Sequence, residues 1–263
     1  MITFRNLSNA FHNLDLGDKP VIAHASLSAF GEIQGGAVTM LGALRSTIDS
    51  LLMPAFTYRT MIVPEDGPSN NGITYGSAKD ANRMAEFFDP KMSADKSVGV
   101  IAETLRQLPD ARRSIHPILS FVGVNADEAI FAQTLQEPFA PIKVLAEAGG
   151  WVLLLGVDHT VNTSIHYGEQ LAGRRQFTRW ALTYHGVTAC PRWPGCSNGF
   201  EAISPHLDWF TQKVQVGSAL VQAIPLTSLL DVVQELISDD PYALLCTRDD
   251  CERCNAVREG SLT

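Results

Sequence analysis

Four stretches of the sequence place reactive side chains at spacings that could do chemistry. In NTSIHYGE, residues 162–169, an imidazole and a carboxylate stand three positions apart. If a helix opens near Thr163 or Ser164, with Asn162 or Thr163 as its N-cap, His166 and Glu169 share one face. A carboxylate beside an imidazole fixes the ring tautomer and raises its basicity, so the pair reads as a general base and its orienter. The plainer alternative is a capped, polar helix start. The run WVLLLGV, 151–157, leads directly into this cluster. The carboxyl ends of buried strands are where α/β proteins bind ligands, which favours the functional reading.

Two further stretches have the same position at an element end. HASLSAFG, His24 to Gly31, ends an apolar run in small residues and is followed by Gly35 and Gly36. Free amides at a helix start there could hold a phosphate. The spacing matches neither a dinucleotide fingerprint nor a Walker loop, and a tight turn explains the glycines equally well. In RRSIHP, 112–117, Arg113 could contact an anion while Ser114 and His116 line a cleft; a solvated arginine pair and a capping histidine is the alternative. No G-x-S-x-G elbow is present, so a nucleophile triad is disfavoured. His24, His116, His159 and His166 show no H-x-H or H-E-x-x-H spacing, so a histidine metal site is disfavoured too.

All five cysteines follow residue 189. An odd number without an export signal argues against a disulfide framework. Cys251 and Cys254 have the spacing of a metal knuckle, and Cys190 with Cys196 forms a looser pair. Two thiolate pairs from distant segments make a tetrahedral zinc site that ties the chain end to the rest. Cys246 is then left over, after an apolar strand at 243–245. Reduced cysteines without metal are the alternative. A redox pair is disfavoured, because this C-x-x-C does not open a helix after a strand.

These residues need a frame. With 263 residues, 45% apolar and 18% charged, the chain can bury a sizeable core as one domain over 1–263. The formal net charge is −8, and the only basic clusters are Arg112-Arg113 and Arg174-Arg175, which argues against a nucleic-acid partner. No apolar run is long enough for a membrane span, and the first 15 residues lack a secretory core, so a cytoplasmic protein is expected. Residues 1–16 read as an amphipathic helix. Strand and helix then alternate to about residue 172: strands at 21–25, from 50, at 114–125 and 151–157, with helices between them. FTRWALT, 177–183, reads as an antiparallel strand. A helix and a strand are expected over 204–222, and a helix over 225–241. Residues 58–97 are rich in Gly, Pro, Asn and Asp and read as a long active-site insertion with a short helix near 81–87. The class is α/β, three-layered, with helices on both faces of a mixed sheet.

Together HASLSAFGEIQGGAVTMLGAL, LLMPAFTY, SIHPILSFVGVNADEAI and GGWVLLLGVDHTVNTSIHYGE, in that order, resemble the aminoglycoside 3-N-acetyltransferase family, which is unrelated to the GCN5 fold. The resemblance covers most of 20–172. It implies a single α/β/α domain, acetyl-CoA as donor and a primary amine as acceptor. In the best-known members, which are antibiotic-resistance enzymes, that amine is the 3-amino group of a 2-deoxystreptamine ring. The family's catalytic histidine falls on His166 and its acid on Glu169. The cofactor loop falls on His24, Ser26, Leu27, Ser28, Phe30 and Gly31, with Ala25 in place of one serine, and cofactor contacts extend to Gly36, Val157 and Thr163. A second cofactor segment falls on Ser114 to Pro117, with Arg113 just before it. The insertion is longer here than in compact members. For a cationic acceptor, Glu65, Asp66, Asp80 and Asp89 in the insertion are the candidate counter-charges. A homodimer is compatible with the resemblance. The rival readings are an amide or thioester hydrolase using the same histidine, and a silent relative that binds coenzyme A or a partner.

Overall fold

The computed structural model describes residues 1–16 and 18–260; the last three residues of the Cys-rich end lie outside them. Its strands are β1 (Val21–Ala25), β2 (Leu51–Pro54), β3 (Met61–Ile62), β4 (Arg112–Arg113), β5 (Phe121–Val124), β6 (Trp151–Leu155), β7 (Phe177–Thr183), β8 (Gly186–Trp193), β9 (Gln212–Val216) and β10 (Ala219–Pro225). Its α-helices are α1 (Phe4–His12), α2 (Gly36–Arg45), α3 (Lys79–Arg83), α4 (Val100–Arg106), α5 (Asp127–Ala132), α6 (Ala140–Glu147), α7 (Ser164–Leu171), α8 (Ser204–Leu207), α9 (Leu226–Asp239) and α10 (Glu252–Gly260).

A seven-stranded sheet runs in the order β4-β5-β2-β1-β6-β10-β9. Only β2, β1 and β6 are parallel; the strands outside them pair antiparallel. The three parallel strands are near-continuous apolar runs because both their faces are covered. Alternate side chains go to opposite cores. Ile22, Leu52, Val152 and Leu154 face one cluster with α5, α6, α7 and α9. Val21, Ala23, Leu51, Met53, Leu153 and Leu155 face the other with α1, α2 and α4. This is the expected three-layer α/β architecture. Helix α1 opens in a capping box, Thr3 with Asn6, and α9 buries Leu226, Leu229, Leu230, Val233 and Ile237 along one stripe.

Two local expectations need correction. The strand expected over 114–125 begins only at Phe121, because Ser114 to Ser120 fold into a turn between β4 and β5. His116 Nδ1 accepts the Ile118 and Leu119 amides there, which a strand would use in its ladder. Residues 243–245 form a turn, not a strand. A second sheet, β3-β7-β8, was foreshadowed only by the pattern of β7. It packs Phe177, Ala181, Cys190 and Trp193 on the first core cluster. Among the described residues no helix is long and apolar enough to cross a membrane.

Candidate active site

Strands β1 and β6 run parallel and end side by side, Ala25 opposite Leu155. A cavity of about 1050 Å³ lies beyond their carboxyl ends. His24 to Ser28 and Gly31 line it on the β1 side, and Val157 with Thr160 to Thr163 on the β6 side. The segment Lys96 to Val100 closes another wall. It can lie there because Gly99 adopts φ +97°; a Cβ at this position would stand 3.0 Å from the Ala25 carbonyl. Phe56, Tyr58, Phe139, Trp193, Pro194, Gly195 and Arg253 also line it.

Helix α7 carries the reactive pair. The Asn162 side chain accepts the Ser164 amide and so starts the helix, as an Asx cap does. His166 and Glu169 are then three positions apart on one face, and His166 Nδ1 lies 2.7 Å from Glu169 Oε2. His166 lines the cavity at 9% exposure, whereas Glu169 is 1% exposed. The Phe200 and Phe139 rings lie 4.7 and 6.2 Å from the imidazole and hold its plane. A carboxylate can only accept, so Nδ1 carries the proton and Nε2 keeps the lone pair. That leaves Nε2 as the basic nitrogen of a ring that borders the cavity.

Glu169 has a second partner that the sequence reading missed. Arg174 Nη1 donates to Glu169 Oε1 at 2.8 Å, and its Nη2 donates to the carbonyls of Pro241 and Ala243 at 2.9 and 2.8 Å. Arg174 entered the sequence reading only as half of a basic pair. Buried carboxylates need such a partner, so the three groups act as one ionised unit, His–Glu–Arg.

The remaining expected residues divide cleanly. His24, Ser26, Leu27, Ser28, Gly31, Val157 and Thr163 line the cavity; Phe30 and Gly36 do not. Phe30 turns into the core at 2% exposure, and Gly36 opens α2 behind the loop. Arg113, Ser114 and His116 are also placed elsewhere. Arg113 holds the insertion by donating to Met92 and Pro90 carbonyls and to Ala55 O at 2.6 Å. Ser114 pairs with Gln133 at 2.5 Å, and His116 serves the β4–β5 turn. Burial pushes His24 down to about 3, with the nearby His159 acting in the same direction, and burial pushes His116 down to about 4. Both are neutral imidazoles at neutral pH.

The acidic side chains expected to face a cation do not reach the cavity. Glu65 faces Lys79 at 4.0 Å, Asp80 pairs with Arg83 at 3.3 Å, and Asp89 accepts the Lys91 amide at 2.7 Å. Asp66, like Glu65 and Asp80, is exposed. The insertion turns its acidic tip to solvent and gives the cavity its two ends, Tyr58 and Lys96 with Ser97.

The cysteine cluster is also corrected. Sγ atoms of Cys196, Cys246, Cys251 and Cys254 all lie within 4.8 Å of one another, and Cys190 is not among them. Cys190 is on β8 and turns its thiol into the apolar core, which pushes its pKa up to about 12. Cys246 reaches the cluster because 243–245 turn back before α10. A hydrogen bond from Cys254 favours the Cys196 thiolate, aided by the Asn198 amide and the Arg253 charge.

A helix that carries an imidazole–carboxylate pair to a cavity at the carboxyl ends of parallel strands defines an α/β protein with its ligand site at the strand ends. Comparison with known proteins narrows this. The profile of the aminoglycoside 3-N-acetyltransferase family matches residues 22–238, and the chain belongs to that family. It is 32% identical over 163 residues to aminoglycoside N(3)-acetyltransferase III of a Salmonella species and 33% identical over 180 residues to aminoglycoside N(3)-acetyltransferase VII of Streptomyces paromomycinus. These matches cover 58% and 65% of this chain, and 54% and 61% of those proteins, so the chain matches little more than half of their length. The crystal structure of aminoglycoside acetyltransferase AAC(3)-IVa superposes with a TM-score of 0.79 over 98% of this chain and 97% of that one, at 22% identity. A binary complex of AAC-IIIb with CoASH superposes at 0.72, over 90% and 96% of the two chains, also at 22% identity.

Proposed function

We propose that the protein transfers an acetyl group from acetyl-CoA to a primary amine. His166 is the base, and the first acceptors to test are aminoglycosides, the class its relatives are named for, beginning with those built on 2-deoxystreptamine. The observation that carries this reading is the 2.7 Å contact of His166 Nδ1 with a buried carboxylate at the cavity wall. An amine of high pKa is protonated near neutrality and is no nucleophile. His166 Nε2 takes that proton, directly or through one water, as the nitrogen attacks the thioester carbonyl. Glu169, held in place by Arg174, stabilises the imidazolium that forms. Collapse of the tetrahedral intermediate expels the coenzyme A thiolate, which accepts a proton in turn, so no covalent enzyme intermediate is needed. Among amides for the oxyanion, that of Ser26 already serves the Leu155 carbonyl. Those of Leu27 and Ser28, at the start of the following turn, are the better candidates.

Cys196, Cys246, Cys251 and Cys254 suit a structural zinc, since four thiolates at this spacing fill a closed tetrahedral shell. Such an ion would fasten α10 to the segment after β8 and take no part in the transfer. A cytoplasmic location fits a donor drawn from central metabolism. The test is thiol release from acetyl-CoA with and without an amine. Amine-dependent release supports transfer, and release without amine supports hydrolysis. Binding of acetyl-CoA without release from any amine supports the silent reading. His166→Ala should abolish release while acetyl-CoA still binds.

A further inference from the structure

We propose that the cavity selects an amine acceptor that also carries an oxyanion, and that Arg253 is the residue that binds it. This rests on the transferase reading above and specifies its acceptor. The chain has a net charge of −8, yet among the described residues no aspartate or glutamate lines its cavity. The ionisable lining consists of His24, His166, Tyr58, Lys96 and Arg253. His24 is a neutral imidazole and Tyr58 a neutral phenol, held up to about 12 by burial and by Asp95. Asp95 itself is turned to the Ser97 amide and hydroxyl at 3.0 and 2.9 Å. The cavity is therefore cationic in an acidic protein.

Arg253 is the cation placed for an acceptor. Its Nη1 donates to the Gly195 carbonyl at 2.8 Å, and among the described residues its other N–H groups have no partner. Neighbouring arginines are all engaged: Arg174 by Glu169, Arg59 by Glu86, and Arg179 by the carbonyls of Asn71 and Gly72. Arg253 is also rigidly seated. A Cβ on Gly72 would lie 2.9 Å from its Cα, and two members of the thiol cluster flank it, Cys251 just before α10 and Cys254 within it. The residue it grips, Gly195, adjoins the carboxylate partner of the base, since a Cβ there would lie 3.8 Å from Glu169 Oε2. Tyr58 and Trp193, with ring centres 6.1 Å apart, wall the same end of the cavity. Lys96 is on the segment whose Gly99 meets Ala25, and it is exposed. An amine at His166 and an oxyanion at Arg253 therefore belong to one compact molecule, such as a short ω-amino acid. The guanidinium fork suits a carboxylate or a phosphate.

The test uses the full chain, acetyl-CoA and a matched pair of acceptors, β-alanine and β-alaninamide, with thiol release as readout. A charge-assisted contact predicts a kcat/KM at least ~10-fold higher for the acid than for the amide. R253Q should bring that ratio close to one and R253K should restore part of it, with the KM for acetyl-CoA moving less than about two-fold. Equal rates for acid and amide in the unaltered protein overturn the proposal without touching the transferase reading. A parallel rise in the acetyl-CoA KM of R253Q also overturns it, because the oxyanion would then be a phosphate of the cosubstrate. Thiol release from no amine overturns the transferase reading and the proposal with it.

Discussion

Replacing Arg174 by methionine should both destabilise the protein and slow its reaction. Methionine keeps most of the side-chain volume and removes the charge. Glu169, 1% exposed, then keeps His166 as its only side-chain partner, and the carbonyls of Pro241 and Ala243 lose their donor. Breaking a buried ion pair by deleting one member costs about 3–5 kcal/mol. The unfolding midpoint in urea should fall by about 1.5–2.5 M, taking a slope near 2 kcal/mol/M. The second effect is on the base. Arg174 fixes one oxygen of Glu169, which leaves the other facing His166 Nδ1. Without the guanidinium the carboxylate can turn, and the imidazole loses the partner that sets its tautomer. General-base catalysis contributes about 10²–10⁴-fold, so amine-dependent thiol release should slow by at least ~10-fold. The assay is that release at saturating acetyl-CoA, with urea unfolding alongside. A loss below about 1 kcal/mol together with an undiminished rate would refute the coupling of Arg174 to the base.

Three other outcomes follow from the geometry. His24 and His116, held at about 3 and 4 by burial, charge at their ordinary 6.5 once unfolded. The unfolded chain therefore binds more protons below pH 6.5, so stability should be full above that value and fall between pH 6.5 and 4; His24→Asn should flatten this fall, and an equal slope in both proteins would contradict it. Cys246→Ser should lower bound zinc from about one equivalent to near none by metal analysis, whereas Cys190→Ser should leave it unchanged, since only Cys246 belongs to the thiol cluster. Gly168→Ala should cost about 1–3 kcal/mol, because its Cβ would stand 2.7 Å from Val233 Cγ1 and force α7 off α9; unchanged thermal unfolding would show that the two helices yield without cost.

The sequence was informative wherever the deciding interaction is local. The apolar runs of β1, β2 and β6 mark strands covered on both faces, and their layering follows from side-chain alternation. His166 and Glu169 were legible because their contact is made within one helical turn, and the Asn162 cap that starts that turn is equally local. Ordered motifs then attached the pair to a family. Residues 114–120 misled because an imidazole can accept amides that a strand would otherwise use, and no periodicity reveals that.

What only the tertiary structure decided is every choice among partners far apart in the chain. Cys190 and Cys246 look alike in sequence. The pleat of β8 sends one thiol into the core, while the turn at 243–245 brings the other to the knuckle. Arg174 is one of two adjacent arginines, and its burial depends on carbonyls nearly seventy positions away. The acidic tip of the insertion has the composition to meet a cation, but the insertion's fold turns it to solvent. Arg253 sits unremarked inside C-x-x-C, and only the packing of α10 against Gly72 and Gly195 sets it at the cavity. Spacing along a chain fixes neighbours within a turn or a pleat; which side chains share a dry pocket depends on how the layers close, and that is a property of the whole core.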